Sequence, residues 1–470
     1  MDVWLLEFGP PTSMEKNGEK INLSSQSNIS SNVVVFLIVG LLIGAGAGWF
    51  LKPMPPTSEG VPEATYNAVV AERDGLQSEV TDLEEQVSIK EAEVEGLQDQ
   101  IEEMEEAGKL KAAFIYVGPI GDYGWSHAHD QGRLYIESIF PWLETAYSEA
   151  VPEGDALRYV DRYIDEGYDI VFTTSFGFMD DTVTAAEKYP EHIFWHCSGY
   201  ERRANLGTYF SEFHQLYYLN GLMAGALTKT GKVGYVGAYP IPEVVRHIDA
   251  YALGVKEANP DATVSVKWIY SWYDPTAATE AAEALIAEGV DAIAFTEDSP
   301  AVVQVGQKHT EEDDQIYTFS HYSPMQEFGP DSCVSGQLVN WGKVYEDILA
   351  KVYSGAYTNE NLVDIDYWWM LKHGACELGG AFGVPVNPAF EEELQSIMVT
   401  DPVLGEISIY DLVMARLEQM VEETVLFDPF TGPIYDNDGT LRIEEGRRGT
   451  HDELWAIDWY VDNILGEVPQ

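Results

Sequence analysis

The sequence predicts an α/β protein: two tandem lobes with parallel sheets, preceded by an apolar helix and a helical stalk. Three observations predict it. From Leu110 onward short β-rich runs alternate with helical stretches, the pattern of a parallel sheet flanked by helices. Within that region two pairs of segments echo each other: Lys111 to Gly118 resembles Lys232 to Gly237, and Glu166 to Thr173 resembles Glu288 to Thr296, offset by about 121 residues each time. Before it, a charge-free run and a heptad pattern stand in series.

The charge-free run is Val33 to Leu51, which as a helix spans about 28 Å, enough for a bilayer core. It reads as a retained single-pass signal-anchor, residues 1–32 forming a disordered cytoplasmic tail. The small-residue triplet Ala45-Gly46-Ala47 leaves signal-peptide cleavage open. A Pro-containing linker, 52–67, leads to the stalk, 68–108. There Leu76, Val80, Leu83, Val87, Val94, Leu97, Ile101 and Met104 keep alternating four and three spacing, interrupted at Lys90. That spacing predicts a coiled coil. With the small-residue ladder Gly40, Gly44 and Gly48 it points to a homodimer; a single charged helix is the other reading. Residues 109–470 form the binding domain, the first lobe mainly 109–230, the second mainly 231–320, and the C-terminal part shared.

Composition narrows the function. The 470 residues are 45% hydrophobic and 12% aromatic, enough for a large core. Acidic residues number 79 against 26 basic, a formal net charge of −53. Nucleic-acid binding needs clustered Lys and Arg, which are lacking. Acid spread along the whole chain predicts a protein kept soluble at high salt, from a salt-loving, archaeal source. Three cysteines, Cys197, Cys333 and Cys376, signal neither a disulfide framework nor a zinc site and are expected as buried thiols.

In open α/β sheets ligands settle beyond the carboxyl ends of strands, so the turns there are searched first. The first-lobe turn, Pro119 to His127, holds Asp122, Trp125, Ser126 and His127. The second-lobe turn holds Trp272. Two such rings across a cleft would sandwich a planar ligand; packing against their own turns is the other outcome. A further first-lobe turn carries Phe176 and Phe178, and its second-lobe partner carries Asp298, as ligand acceptor or helix cap. His127 and His129 lie about 200° apart on a helix over 125–139 and cannot share one metal, so neither metal nor cofactor is expected. No nucleophile elbow or phosphate loop is present, and the chain is read as a non-enzyme. The Asp436-Asn437-Asp438-Gly439 stretch lacks the closing Glu of a calcium loop and reads as a surface turn.

The segments Ala112 to Arg133, Leu227 to Ala262, Tyr270 to Ala301, Val339 to Tyr345 and Asp366 to Gly374 together resemble the basic membrane protein family of ABC solute-binding proteins, which includes purine nucleoside receptors. The resemblance implies a type I periplasmic-binding-protein fold, two Rossmann-like lobes joined by a hinge. It further implies a purine base or nucleoside as ligand, permease and ATPase subunits as partners, and an extracellular binding domain at the cell membrane. The family's stacking aromatics fall on Trp125 and Trp272, with Gly124-Trp125-Ser126 where relatives carry an SFN-like motif. The glycine-rich turn that approaches ribose is replaced by Thr296 to Pro300, which favours a free base such as adenine. Tyr322, Asn340 and Trp341 fall where later contacts are expected. The alternatives from other classes are a ligand-sensing ectodomain of a signalling system and a receptor for another small solute.

Overall fold

The computed structural model describes residues 63–106, 109–422 and 427–469. The chain divides into two units between Glu103 and Met104. Helix α1 (Glu63–Glu106), which supplies the described part of the first unit and ends three residues past the division, is 44 residues and about 66 Å long and takes in the last residues expected in the linker. Leu76, Val80, Leu83 and Val87 lie 40–53% exposed along it, so in a single chain the heptad stripe faces solvent. The apolar run 33–51 and the tail before it lie outside the described residues. Among the described residues no helix is long and apolar enough to cross a membrane.

The second unit begins with β1 (Leu110–Ile115), α2 (Trp125–Ile139), β2 (Leu143–Ser148), α3 (Ala156–Asp165), β3 (Ile170–Thr173), α4 (Met179–Lys188), β4 (Ile193–Cys197) and β5 (Leu206–Ser211). It continues through α5 (His214–Leu227), β6 (Lys232–Gly237), α6 (Pro242–Ala258), β7 (Thr263–Trp268), α7 (Pro275–Ala287), β8 (Ala292–Thr296), α8 (Ala301–Glu311), β9 (Tyr317–Tyr322) and β10 (Cys333–Val339). The last part comprises α9 (Trp341–Tyr353), β11 (Asp366–Trp369), β12 (Cys376–Leu378), α10 (Pro388–Ser396), the hairpin of β13 (Met398–Asp401) and β14 (Gly405–Ser408), α11 (Ile409–Glu422), the hairpin of β15 (Ile434–Tyr435) and β16 (Leu441–Ile443), α12 (His451–Trp455) and β17 (Ile464–Leu465).

These strands build two sheets. The first, β11-β5-β4-β3-β1-β2, is parallel throughout. The second, β12-β10-β9-β8-β6-β7-β17, is parallel except for β12 at its edge. Strand β1 sits between β2 and β3 as β6 sits between β7 and β8, so the echoed sequence segments are topological equivalents. The Glu-Gly pairs in the echo have a local cause. Helices α3 and α7 both end at a glycine in the left-handed region, Gly167 at φ 82° and Gly289 at φ 89°, where a side chain would be strained. The strands that follow, β3 and β8, are buried along their whole length, as sheets covered on both faces require.

Three segments cross between the sheets: β5 to α5, β10 to α9, and β11 to β12. Helix α5, expected in the first lobe, packs instead on α6 and the second sheet, and that sheet continues past residue 320 to Val339. Two of the crossings, β5 to α5 and β11 to β12, meet at Glu212. Its backbone N–H donates to Trp369 O at 2.7 Å, and the Cys376 thiol donates to its carbonyl at 3.7 Å. Its carboxylate takes Nη2 of Arg246 at 2.8 Å and Nδ1 of His214 at 2.9 Å, all fully buried. All three cysteines are buried and unpaired. Asp436 and Gly439 form the turn of the last hairpin, where the Asp436 carboxylate accepts the backbone N–H groups of Asp438 and Thr440.

Candidate functional site

Between the two sheets lies a narrow cleft lined by Val117, Trp125, Ser175, Phe176, Ser198, Glu243, Trp272, Asp298 and Tyr322. Each residue stands at or just past the carboxyl end of a parallel strand: β1, β3 and β4 in the first lobe, β6, β7, β8 and β9 in the second. The general rule for open α/β sheets places a ligand there.

Local sequence sets each wall. Asp122 carboxylate oxygens accept backbone N–H groups of Gly124 (2.7 Å), His127 (3.0 Å) and Ser126 (3.2 Å), which opens α2 and fixes Trp125 in its first turn. The Trp125 ring, 7% exposed, lies against Tyr322 at 4.8 Å and Trp341 at 5.2 Å, and its indole N–H donates to Thr174 O. On the second lobe Asp274 caps α7 by accepting the N–H groups of Thr276 and Ala277, with Pro275 in the first turn. That cap sets the turn carrying Trp272, whose ring lies 5.1 Å from Tyr239. Ser198 and Tyr322 line the cavity with φ of 63° and 60°, left-handed values that cost a non-glycine residue about 1–2 kcal/mol each. Strain of this kind clusters at binding sites.

The lobes touch across the cavity. Ser198 Oγ donates to Glu243 Oε2 at 2.6 Å, Ser323 Oγ donates to Gly124 O at 3.1 Å, and Trp125 N–H donates to Asp298 Oδ1 at 3.3 Å. A Cβ on Gly124 would stand 2.5 Å from the Cα of Asp298, so only glycine permits this approach. Asp298 therefore reaches over the cleft to the start of α2, while Ser299 Oγ accepts the first N–H of α8 at 3.2 Å. At the rim, Trp272 Nε1 donates to Glu153 Oε1 at 3.3 Å.

The electrostatics are one-sided. Burial pushes the Glu243 carboxyl up to about 7 against the hydrogen bond from Ser198. Burial also raises Asp122 to about 6 against its three backbone donors. Asp298 is raised well above the carboxylate range, by burial and then by Asp122 and Glu297 nearby. No Lys, Arg or His is among the lining residues.

Of the eleven residues singled out in the sequence, the structure brings Trp125, Phe176, Trp272, Asp298 and Tyr322 to this cavity. Asp122 and Ser126 are buried in the α2 turn, Ser126 Oγ accepting the Gly118 N–H at 3.0 Å. Phe178 packs into the first-lobe core with Ala113, Ile115 and Val171. His127, Asn340 and Trp341 line a neighbouring cavity that shares only Tyr322 with the first. His127 Nδ1 is tied to Ile120 O, and Trp341 is fully buried on His129 at 4.4 Å. Val117, Ser175, Ser198 and Glu243 escaped the sequence reading. Ser198 follows β4, a strand the sequence reading did not single out, whereas Glu243 opens the helix after β6, one of the echoed strands.

A family model described as ABC transporter substrate-binding protein PnrA-like matches residues 109–411. A purine-binding protein of Brucella abortus is 34% identical over 77% of this chain and 95% of its own length. A putative ABC transporter glucose-binding protein of Haloferax volcanii is 40% identical over 77% of this chain and 81% of its own. A solute-binding protein of an ABC transporter system from Aeropyrum pernix superposes with a TM-score of 0.57 over 68% of this chain and 93% of its own, at 14% identity. One from Conexibacter woesei gives 0.51 over 68% and 99%, at 18% identity. These two structural likenesses establish the fold.

Proposed function

The chain belongs to the PnrA-like family of ABC transporter substrate-binding proteins, and from that premise we propose that its solute is a purine base, held by aromatic stacking in the cleft between the lobes and delivered to a permease. The observation that carries this reading is the set of rings on one narrow cavity: Trp125 and Phe176 from the first lobe, Trp272 and Tyr322 from the second. Flat rings on opposite walls suit a flat ligand, and each stacked face contributes about 1–3 kcal/mol by analogy with nucleobases on aromatic platforms. The 34% identity to a purine-binding relative supports it.

A second reading, a sugar, is favoured by the glucose-binding description of the Haloferax relative and by carboxylates that could accept sugar hydroxyls. Thermal unfolding in molar salt separates the two. A saturating purine, at about 100 times its dissociation constant, adds about 2.7 kcal/mol of stability. Stabilisation by glucose with none by adenine, hypoxanthine or their nucleosides would sink the purine reading.

The same proposal places the binding domain outside the cell, with Val33 to Leu51 as a single-pass anchor and α1 as one strand of a dimeric stalk. The exposed stripe at Leu76, Val80, Leu83 and Val87 is what a partner helix would cover. Leu83→Glu is expected to shift the full chain from dimer to monomer in sedimentation, with ligand binding unchanged. A monomeric wild type would leave the stalk reading without support.

A further inference from the structure

We infer that Glu243 selects the ligand: its carboxylate accepts an N–H from the bound solute, so the cleft takes neutral or cationic solutes with N–H donors and rejects anions. The inference rests on the purine reading only for its first probe.

Its placement is specific. Glu243 is the second residue of α6, beyond the end of β6, and faces the cavity together with Asp298. Its two oxygens each take one hydroxyl, Oε2 from Ser198 at 2.6 Å and Oε1 from Tyr322 at 3.2 Å. Both hydroxyls donate, which orients the group as an acceptor. A carboxylate offers about four acceptor positions, so capacity remains for the ligand.

Among the described residues Glu243 makes no ion pair. The nearest candidate is Arg246, one turn along α6, whose Nε and Nη2 bind Glu212 at 3.1 and 2.8 Å and whose Nη1 binds Leu454 O at 2.8 Å. The charged and titratable groups acting on Glu243 are Arg246 and Glu212 behind it, Tyr322 and Asp298 beside it, Tyr217 and Tyr235 from α5 and β6, and Cys197 across the cleft. Apart from the spoken-for Arg246, all are acidic or neutral. Positive charge or N–H donation must come from the solute. An anion such as a nucleotide would meet the Glu243 carboxyl in a buried space, and once that group ionises near neutrality the like-charge juxtaposition is strongly unfavourable.

Ring walls and carboxyl edge act together. In a flat heterocycle the polar atoms lie in the ring plane, so stacking covers the faces and leaves the edge to be read. Glu243 then discriminates by donor count, as Trp125 and Trp272 discriminate by shape. Burial holds the Glu243 carboxyl up to about 7, so its capacity as an anionic acceptor develops near neutrality. Affinity for an N–H donor accordingly rises as pH increases through that value.

The test uses the full chain in molar salt, wild type and Glu243→Gln, titrated calorimetrically from pH 5.5 to 8.5 with adenine, adenosine monophosphate, cytosine and glucose. Glutamine keeps the side chain's size but replaces an anionic acceptor; its melting temperature checks that the fold persists. The wild type is expected to bind adenine more tightly as pH rises, and the monophosphate at least about a hundredfold more weakly. Glu243→Gln is expected to lose roughly tenfold to a hundredfold in adenine affinity at pH 8 and to flatten the pH profile. Equal adenine affinity and the same profile in both proteins would overturn the inference and leave the purine reading standing. Cytosine binding that depends on Glu243, with no purine bound, would overturn the purine reading and leave the inference standing. Binding of glucose alone would overturn both.

Discussion

The two lobes share a strand order yet contribute different chemistry to the cleft between them. The first lobe offers Val117, Trp125, Ser175, Phe176 and Ser198: rings, hydroxyls and no charge. The second offers Glu243 and Asp298 beside Trp272 and Tyr322. The tryptophans differ in the same spirit. Trp125 is a core residue with one flank on the cavity, wedged among Tyr322, Trp341 and His129, whereas Trp272 is half-buried at the rim. A common scaffold fixes where side chains can act, at the carboxyl ends of strands, while each turn decides what they do.

The sharpest way to break this contrast is to remove both rings separately. Trp125→Ala is expected to cost about 3–5 kcal/mol of folding stability, since it empties a packed site, and to abolish binding with it. Trp272→Ala should leave the melting temperature nearly unchanged and lower affinity by the about 1–3 kcal/mol of one stacked face. Equal losses of stability in the two variants, read by denaturant unfolding, would erase the distinction between core ring and rim ring.

Next in size is the pH response, which separates the cavity from the seam behind it. Glu243 is raised from 4.5 to about 7, so the folded protein binds more protons than the unfolded chain in that window; stability falls as pH climbs through it and is level above. His214 is the opposite type of group. Burial opposes its charge, but Asp428 and Glu212 hold it up to about 9 from 6.5. Its contribution is full below pH 6.5 and is lost as pH rises through 9. Each span is worth about 3 kcal/mol at roughly 1.4 kcal/mol per unit. Chemical unfolding across pH should show both declines, Glu243→Gln reducing the lower, to which Asp122 also contributes, and His214→Gln flattening the upper. A lower decline unchanged in Glu243→Gln, or an upper one unchanged in His214→Gln, would contradict this division.

Smaller still is lobe closure. Gly124→Ala drives a methyl into the Asp298 backbone, and overpacking of about 1–3 kcal/mol translates to a tenfold to hundredfold loss of affinity, with little change in ligand-free stability once the lobes part. Glu153→Gln weakens the rim bond to Trp272 together with the bonds Glu153 accepts from Ser175 Oγ and the Gly177 N–H, and should cost about 0.5–1.5 kcal/mol of binding, visible as faster ligand release.

Much of this arrangement was legible in the sequence. The echo at an offset near 121 marked β1 with β6 and β3 with β8, because central parallel strands are buried on both faces and their apolar runs and preceding Glu-Gly turns leave little freedom. Helix α2 follows the expected 125–139, and the tryptophans were visible because a strand-to-helix turn seldom needs one. What was not legible is side-chain direction. Phe176 and Phe178 are two residues apart in one turn, and only the short helix they share sends Phe176 to the cavity and Phe178 into the core. Asn340 and Trp341 lie at a chain crossing, which local sequence does not reveal, and Glu243 looks like any acidic residue in a helix's first turn.

The central claim, a flat solute held between rings of opposite lobes, is tested most directly by calorimetric titration of the full chain with adenine and with glucose in molar salt, wild type beside Trp272→Ala. The account predicts one saturable site for adenine, weakened by roughly tenfold or more in the variant, and no heat of binding with glucose. Tight glucose binding without adenine binding would contradict it.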